Sequence, residues 1–184
     1  VRALNSLGAS TKILKKSKDF ENIDKLVFPG QGSMGACLKK LSENDLRDAL
    51  IFSLKNLPFL GICLGLQILF SESEESEDEK GLGIFPEKIK KFSEFKDRTI
   101  KIPHMGWNQV EFSQSHFIWE GLESSKDFYF VHSYASKEID EKYIYSKTFH
   151  GESFNSAVAK DNIFATQFHP EKSGKSGLNL LQNF

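Results

Sequence analysis

At 184 residues the chain has the length of one domain with a single core, since domains commonly hold about 100 to 200 residues. Its 24 basic and 25 acidic side chains leave a formal net charge of -1, which argues against wholesale attraction to a nucleic-acid backbone or an anionic bilayer. No apolar run reaches the roughly 18 residues of a membrane span, and the first residues do not read as a secretion signal, so a soluble, cytoplasmic protein is expected.

In chain order, Val1, Leu4 and Leu7 followed by Gly8 read as the last turns of an amphipathic helix closed by a glycine. Residues 11–14 and 26–28 are short β-compatible segments, the second running into Pro29-Gly30-Gln31-Gly32, a loop that needs glycine freedom. Ser33 can cap a helix beginning at the next residue. Leu38, Leu41, Leu46, Ala49, Leu50 and Leu54 recur at helical spacing between residues 34 and 56, interrupted near 42–44. Residues 58–62 then read as a buried strand, and Leu64, Leu66, Ile68, Leu69 and Phe70 as a largely buried helix.

The stretch 71–80 packs six acids among serines and is expected as a solvated loop. Beyond Ile84, short aromatic and β-branched runs at 89–92, 100–102, 128–131, 143–148, 157–159 and 163–168 predict strands, the last two joined as a hairpin through Asp161-Asn162. The expected fold is α/β: an open, mostly parallel, doubly wound sheet with helices on both faces and an added block of antiparallel strands. Ligand chemistry belongs at the carboxyl ends of such strands.

Two motifs carry chemistry. Gly61-Ile62-Cys63-Leu64-Gly65 has the form of a nucleophile elbow, in which flanking glycines permit a strained strand-to-helix turn that pushes the central side chain outward. At a helix N-terminus, near an imidazolium, the thiolate would be favoured. Gln167-Phe168-His169-Pro170-Glu171 places a histidine after an apolar strand with a carboxylate two residues on, the roles of base and orienter in a triad. Each motif alone is also compatible with a purely structural use: a packed cysteine between glycines, a capping histidine. His104, His116, His132 and His150 lack close ligand spacing with cysteines or acids, so no metal is expected. Cys37 lies on a helical pattern as a small packing residue. Both Cys37 and Cys63 are expected as free thiols.

Taken together with Pro29-Gly30-Gln31-Gly32 and Gln67, these motifs resemble the class I (triad) glutamine amidotransferases. Gly81-Leu82-Gly83, Pro103-His104-Met105-Gly106-Trp107-Asn108 and Phe130-Val131-His132-Ser133-Tyr134 narrow the resemblance to the branch of glutaminase subunits of imidazole glycerol phosphate synthase. It covers nearly the whole chain. The resemblance implies hydrolysis of L-glutamine by a triad of Cys63, His169 and Glu171, without a cofactor. Ammonia would pass to a (β/α)8-barrel synthase partner that makes imidazole glycerol phosphate in histidine biosynthesis, the two chains forming a heterodimer. It further implies an oxyanion hole from the amides of Leu64 and of the loop holding Gln31 and Gly32. Substrate contacts fall on Gly30, Gln67, Ser133 and Tyr134. Lys172 and the segment Pro103, His104, Met105, Gly106, Trp107 and Asn108 would lie at the partner interface.

Many relatives carry an aliphatic residue where this chain has Gln31, and the family's first strand and glycine loop are expected to precede Val1. The whole chain reads as a single amidotransferase domain, 1–184, lacking that strand and loop. A paralogous glutaminase that feeds a synthase amidating a surface sugar would show the same motifs. A catalytically silent docking subunit would keep the fold without needing the triad, and a cysteine peptidase would share the triad but not Gln67 or the 29–32 loop.

Overall fold

The computed structural model describes residues 1–92 and 100–184. Helix α1 (Arg2–Ser6) ends as expected, with Gly8 at φ +84° and the Gly8 and Ala9 amides donating to the Asn5 and Leu4 carbonyls. Strand β1 (Leu26–Gly30) runs into the glycine loop. Helices α2 (Met34–Glu43) and α3 (Arg47–Asn56) come next, split where the sequence breaks its periodicity. The fully buried strand β2 (Phe59–Cys63) leads into the single turn α4 (Leu64–Gln67). Then come β3 (Phe70–Ser73), β4 (Phe85–Lys91), β5 (His104–Phe112), β6 (Ser125–His132), β7 (Tyr134–Ala135), β8 (Ile144–His150), β9 (Glu152–Lys160), β10 (Ile163–Thr166) and α5 (Gly174–Asn183).

Among the described residues, seven strands form one sheet in the order β1-β2-β10-β9-β8-β5-β6, and β3-β4-β7 form a small second sheet. The large sheet is parallel across β1, β2 and β10 and antiparallel from β10 outward. The expected antiparallel block therefore makes up much of the α/β sheet. Period-two alternation divides the interior into two cores. Phe59, Ile163 and Ala165 face the side packed with residues of α2 and α3. Leu60, Ile62 and Phe164 face the opposite side with Phe128, Phe130, Phe154 and Leu180 of α5. Helices thus cover both faces. The sheet curls, so that the Tyr129 carbonyl of edge strand β6 reaches back to accept the His169 amide just beyond β10.

Four local expectations are corrected. Residues 11–14 are not a strand: no ladder takes them up, and the chain there is largely exposed, with the Asp19 carboxylate accepting the Lys15 and Lys16 amides at 3.0 Å. The helix after Cys63 stops at Gln67, because the carbonyls of Ile68 and Leu69 are taken by the amides of Leu82, Ile84 and Phe85. Residues 100–102 form no strand. Pro103 has no amide to give a ladder, and the strand begins one residue later as β5.

The acidic stretch is only partly a solvated loop. Its first residues belong to β3. Glu75 accepts the Met34 amide at 3.0 Å and Ser76 the Gly35 amide at 2.9 Å, while Ser33 accepts from Ala36 at 3.3 Å. The unpaired amides that open α2 draw an acceptor of negative charge to them.

Candidate active site

Three segments meet at the carboxyl ends of adjacent parallel strands. Gly30 at the end of β1 pairs in register with Cys63 at the end of β2, and Thr166 at the end of β10 pairs with Ile62. The 29–32 loop, the Cys63 turn and the segment 167–172 therefore share one rim.

Cys63 has φ +54° and ψ -100°, a conformation that costs a residue with a side chain on the order of 1 to 3 kcal/mol. The glycines on either side explain how the turn closes. A Cβ at Gly65 would lie 2.0 Å from the Phe28 carbonyl oxygen, and one at Gly61 would lie 2.5 Å from that of Gly65. Only bare Cα atoms let α4 sit this close to β1 and β2. Gly32, at φ +102°, supplies the left-handed residue of the neighbouring loop, and Gln31 beside it is exposed.

The thiol is buried, and burial pushes its pKa up to about 11. The Leu64 amide and the Gln167 side chain pull it down and the Glu171 charge pushes it further up. The expected resting thiolate is thus corrected: α4 is one turn long, and desolvation outweighs what its N-terminus offers. Gln167 carries no assigned role in the sequence motif. It is fully buried, with its amide nitrogen 3.6 Å from Cys63 Sγ. The signal available was its place just before the histidine motif, near the end of the predicted strand 163–168.

His169 is buried, and its Nδ1 lies 2.7 Å from Glu171 Oε1. Burial opposes ionisation of Glu171, but its interaction with His169, the hydrogen bond foremost, outweighs it and holds the carboxyl below its ordinary range. The turn is pinned at both ends. The His169 amide donates to Tyr129, and Ser173 Oγ donates to the His169 carbonyl at 2.6 Å while accepting the Tyr129 amide at 2.9 Å. With Nδ1–H committed to the carboxylate, Nε2 carries the ring's lone pair. Nε2 is buried and has no hydrogen-bond partner among the described residues, which leaves it open to take a proton.

Gln67, at the end of α4, is buried and donates its amide to the Tyr134 carbonyl at 3.1 Å, with Gln167 Oε1 at 3.4 Å. Ser133 and Tyr134 are half-buried. The segment 103–108 divides between inside and outside. His104 is buried, while Met105 and Trp107 are 62% and 58% exposed. Trp107 stands edge-on to Tyr129 with ring centroids 6.3 Å apart, and the Lys172 ammonium lies 5.9 Å from the same ring. Those three side chains make one surface next to the His169 turn. The structure also gathers three histidines that sequence spacing left scattered: the rings of His104 and His150 stack at 4.1 Å, and His104 Nδ1 lies 3.0 Å from His132 Nε2. No group of histidine, cysteine and acidic residues suited to a metal ion occurs among the described residues.

Residues 1–184 match the family model described as glutamine amidotransferase class-I. Proteins named imidazole glycerol phosphate synthase subunit HisH align closely. That of Hydrogenovibrio crunogenus is 44% identical over 94% of this chain and 81% of its own length. That of Nitrosospira multiformis is 49% identical over 88% and 77%, and that of Sulfurimonas denitrificans 44% identical over 99% and 88%. Among solved structures, a glutamine amidotransferase superposes with a TM-score of 0.73 at 20% identity, covering 96% of this chain and 86% of the other. A glutamine amidotransferase from Thermotoga maritima gives 0.56 at 16%, covering 85% and 60%. These two likenesses bear on the fold alone.

Proposed function

The chain belongs to the class-I glutamine amidotransferase family, and from that membership and its HisH relatives we propose that it is the glutaminase subunit of an imidazole glycerol phosphate synthase. It hydrolyses L-glutamine and hands ammonia to a (β/α)8-barrel partner in histidine biosynthesis, as one half of a heterodimer. The observation that carries this reading is the strained Cys63 turn lying on one rim with a His169 whose free ring nitrogen is set by Glu171.

Cys63 attacks the side-chain carbonyl of glutamine. Because burial keeps the thiol protonated at rest, its proton moves to His169 Nε2 as the C–S bond forms. His169 then returns that proton to the departing ammonia and next takes one from water. Glu171 holds the ring in the tautomer both steps need. The amides of Leu64 and of the loop at Gln31 and Gly32 receive the oxyanion, each worth on the order of 3 kcal/mol when well placed. Gly30, Gln67, Ser133 and Tyr134 line the place for the glutamine. Residues 1–184 act as one amidotransferase domain.

The partner covers the surface of Lys172, Pro103, Met105 and Trp107, behind which Gly106, Asn108 and the buried His104 shape strand β5. Large apolar side chains left in water beside a catalytic rim are suited to docking. Glutamate release by the chain assembled with its barrel partner and nucleotide ligand tests the reading. We expect turnover that Cys63→Ala lowers by about four orders of magnitude or more, with fold and complex unchanged. Turnover close to the unaltered rate in that variant would remove Cys63 from the chemistry.

A further inference from the structure

From the half-buried Asn108 on β5, a hydrogen-bond chain runs inward through two buried histidines to the floor of the glutamine site. Asn108 Nδ2 lies 2.9 Å from the Phe149 carbonyl and 3.1 Å from His104 Nε2. Its Oδ1 accepts the Gln109 amide at 2.8 Å, which fixes which end of the side-chain amide faces which way. Asn108 therefore donates to His104 Nε2, so the proton of His104 sits on Nδ1. That nitrogen is 3.0 Å from His132 Nε2, which must accept. His132 in turn is protonated at Nδ1 and donates to the Tyr134 carbonyl at 2.9 Å. Every link has one direction only, because each neutral imidazole offers one donor and one acceptor.

The second lone pair of the Tyr134 carbonyl takes the Gln67 amide at 3.1 Å, and Gln67 adjoins Gln167, whose amide contacts Cys63 Sγ. The Tyr134 carbonyl is thus held from one side by His132 and holds Gln67 on the other. Phe92, Phe130 and Phe154 surround the two imidazoles, with centroids 4.6 to 6.4 Å away. An apolar ring would fill such a cage without a buried polar atom to satisfy. What the imidazoles add is a donor aimed at one carbonyl.

We propose that His104 and His132 are positioning residues for the glutamine site, fixing the Tyr134 carbonyl and through it the Gln67 amide beside Cys63. The proposal rests on Cys63 being the glutaminase nucleophile. Neither imidazole touches glutamine; they act through a backbone segment and one side chain. Burial keeps both rings neutral, with pKa values pushed down to about 3, so the chain keeps its direction throughout the working pH range.

The test uses the chain assembled with its barrel partner. In His132→Phe the ring volume stays and the donor goes, and the glutamine KM rises about tenfold while kcat falls no more than about threefold, the size of one lost hydrogen bond. In His132→Asn the amide nitrogen stands where Nδ1 stood, and KM returns to within about threefold of the unaltered chain. A packing role predicts the reverse order, since asparagine leaves the larger void. Asparagine performing no better than phenylalanine, or phenylalanine leaving KM unchanged, overturns the proposal. Nitrogen NMR of the unaltered complex gives a second measurement that needs no variant. Both imidazoles are expected to carry their proton on Nδ1, and finding either protonated on Nε2 overturns the chain even if His132→Phe does not fold. If the unaltered complex releases no glutamate, the glutaminase reading itself falls, which the tautomer measurement distinguishes from a failure of the hydrogen-bond chain alone.

Discussion

At the Cys63 turn, every residue from Phe59 to Phe70 is buried, and the chain there is shaped by what its glycines allow. Along β5 burial alternates, and over the first half of the strand it runs against hydropathy: His104 faces inward, Met105 and Trp107 outward. The first region is specified by backbone contact over a few residues. The second serves two environments, placing polar rings against a phenylalanine cage and apolar side chains in water. A turn of the first kind tolerates almost no added atoms, whereas a strand of the second kind should accept changes on its outer face with little loss of fold.

The sharpest way to break that contrast is at Gly65. In Gly65→Ala the added methyl meets a main-chain oxygen at 2.0 Å, so β1 and α4 must separate, and we expect a loss of about 3 kcal/mol or more in denaturant unfolding. A variant of unaltered stability would mean that the turn is not held by close backbone approach. The thiol offers a second handle. With its pKa pushed up to about 11, Cys63 in the unliganded chain holds about three hundredfold less thiolate at neutral pH than a free cysteine. Because deprotonation makes the nucleophile, alkylation by iodoacetamide should rise about tenfold per pH unit and level off only near pH 11, as for any group titrating alone. Levelling near the ordinary cysteine value of about 8.5 would show that the helix start and Gln167 fully offset burial.

Glu171→Gln tests the other side of the rim. The imidazole stays in place but loses the carboxylate that fixes its tautomer, so kcat should fall about ten- to a hundredfold, less than in His169→Ala. Equal losses in the two variants would assign Glu171 more than orientation. The smallest effect on the subunit itself belongs to β5. Trp107→Ala removes a ring that is 58% exposed, and unfolding of the isolated chain should change by less than about 0.5 kcal/mol. Binding of the barrel partner, measured by calorimetry, should weaken by about 2 kcal/mol. A loss of stability with unchanged binding would return Trp107 to the core and remove the contrast between the two regions.

The legibility of the sequence follows the same division. Helices α2 and α3, the buried strand at 59–62, the hairpin through Asp161 and the positions of Cys63, His169 and Glu171 could be read because each depends on neighbours a few residues away: periodic apolar spacing, a glycine pair, a turn dipeptide. Strand β5 could not, since Met105 and Trp107 point outward while His104 points inward, hiding over its first half the alternation by which a half-buried strand is recognised. Nor could the capping of α2 by Glu75 and Ser76, some forty residues on, which made a surface loop of a helix support.

The sequence by itself determined that a cysteine would stand at a strained strand-to-helix turn and that a histidine with its carboxylate would end a later strand. Sterics at Gly61 and Gly65 and the two-residue spacing from His169 to Glu171 are local constraints that few folds could alter. Only the tertiary structure decided that these turns share one rim, that Gln167 lies against the thiol, and that His104, His132 and His150 converge behind β5. Those contacts join residues 28 to 104 positions apart, and parallel pairing of β10 with β2 and the curl of the sheet set them. Desolvation is collective in the same way. The thiol's high pKa follows from every chain segment that excludes water around Cys63, so no short stretch of sequence could have announced it.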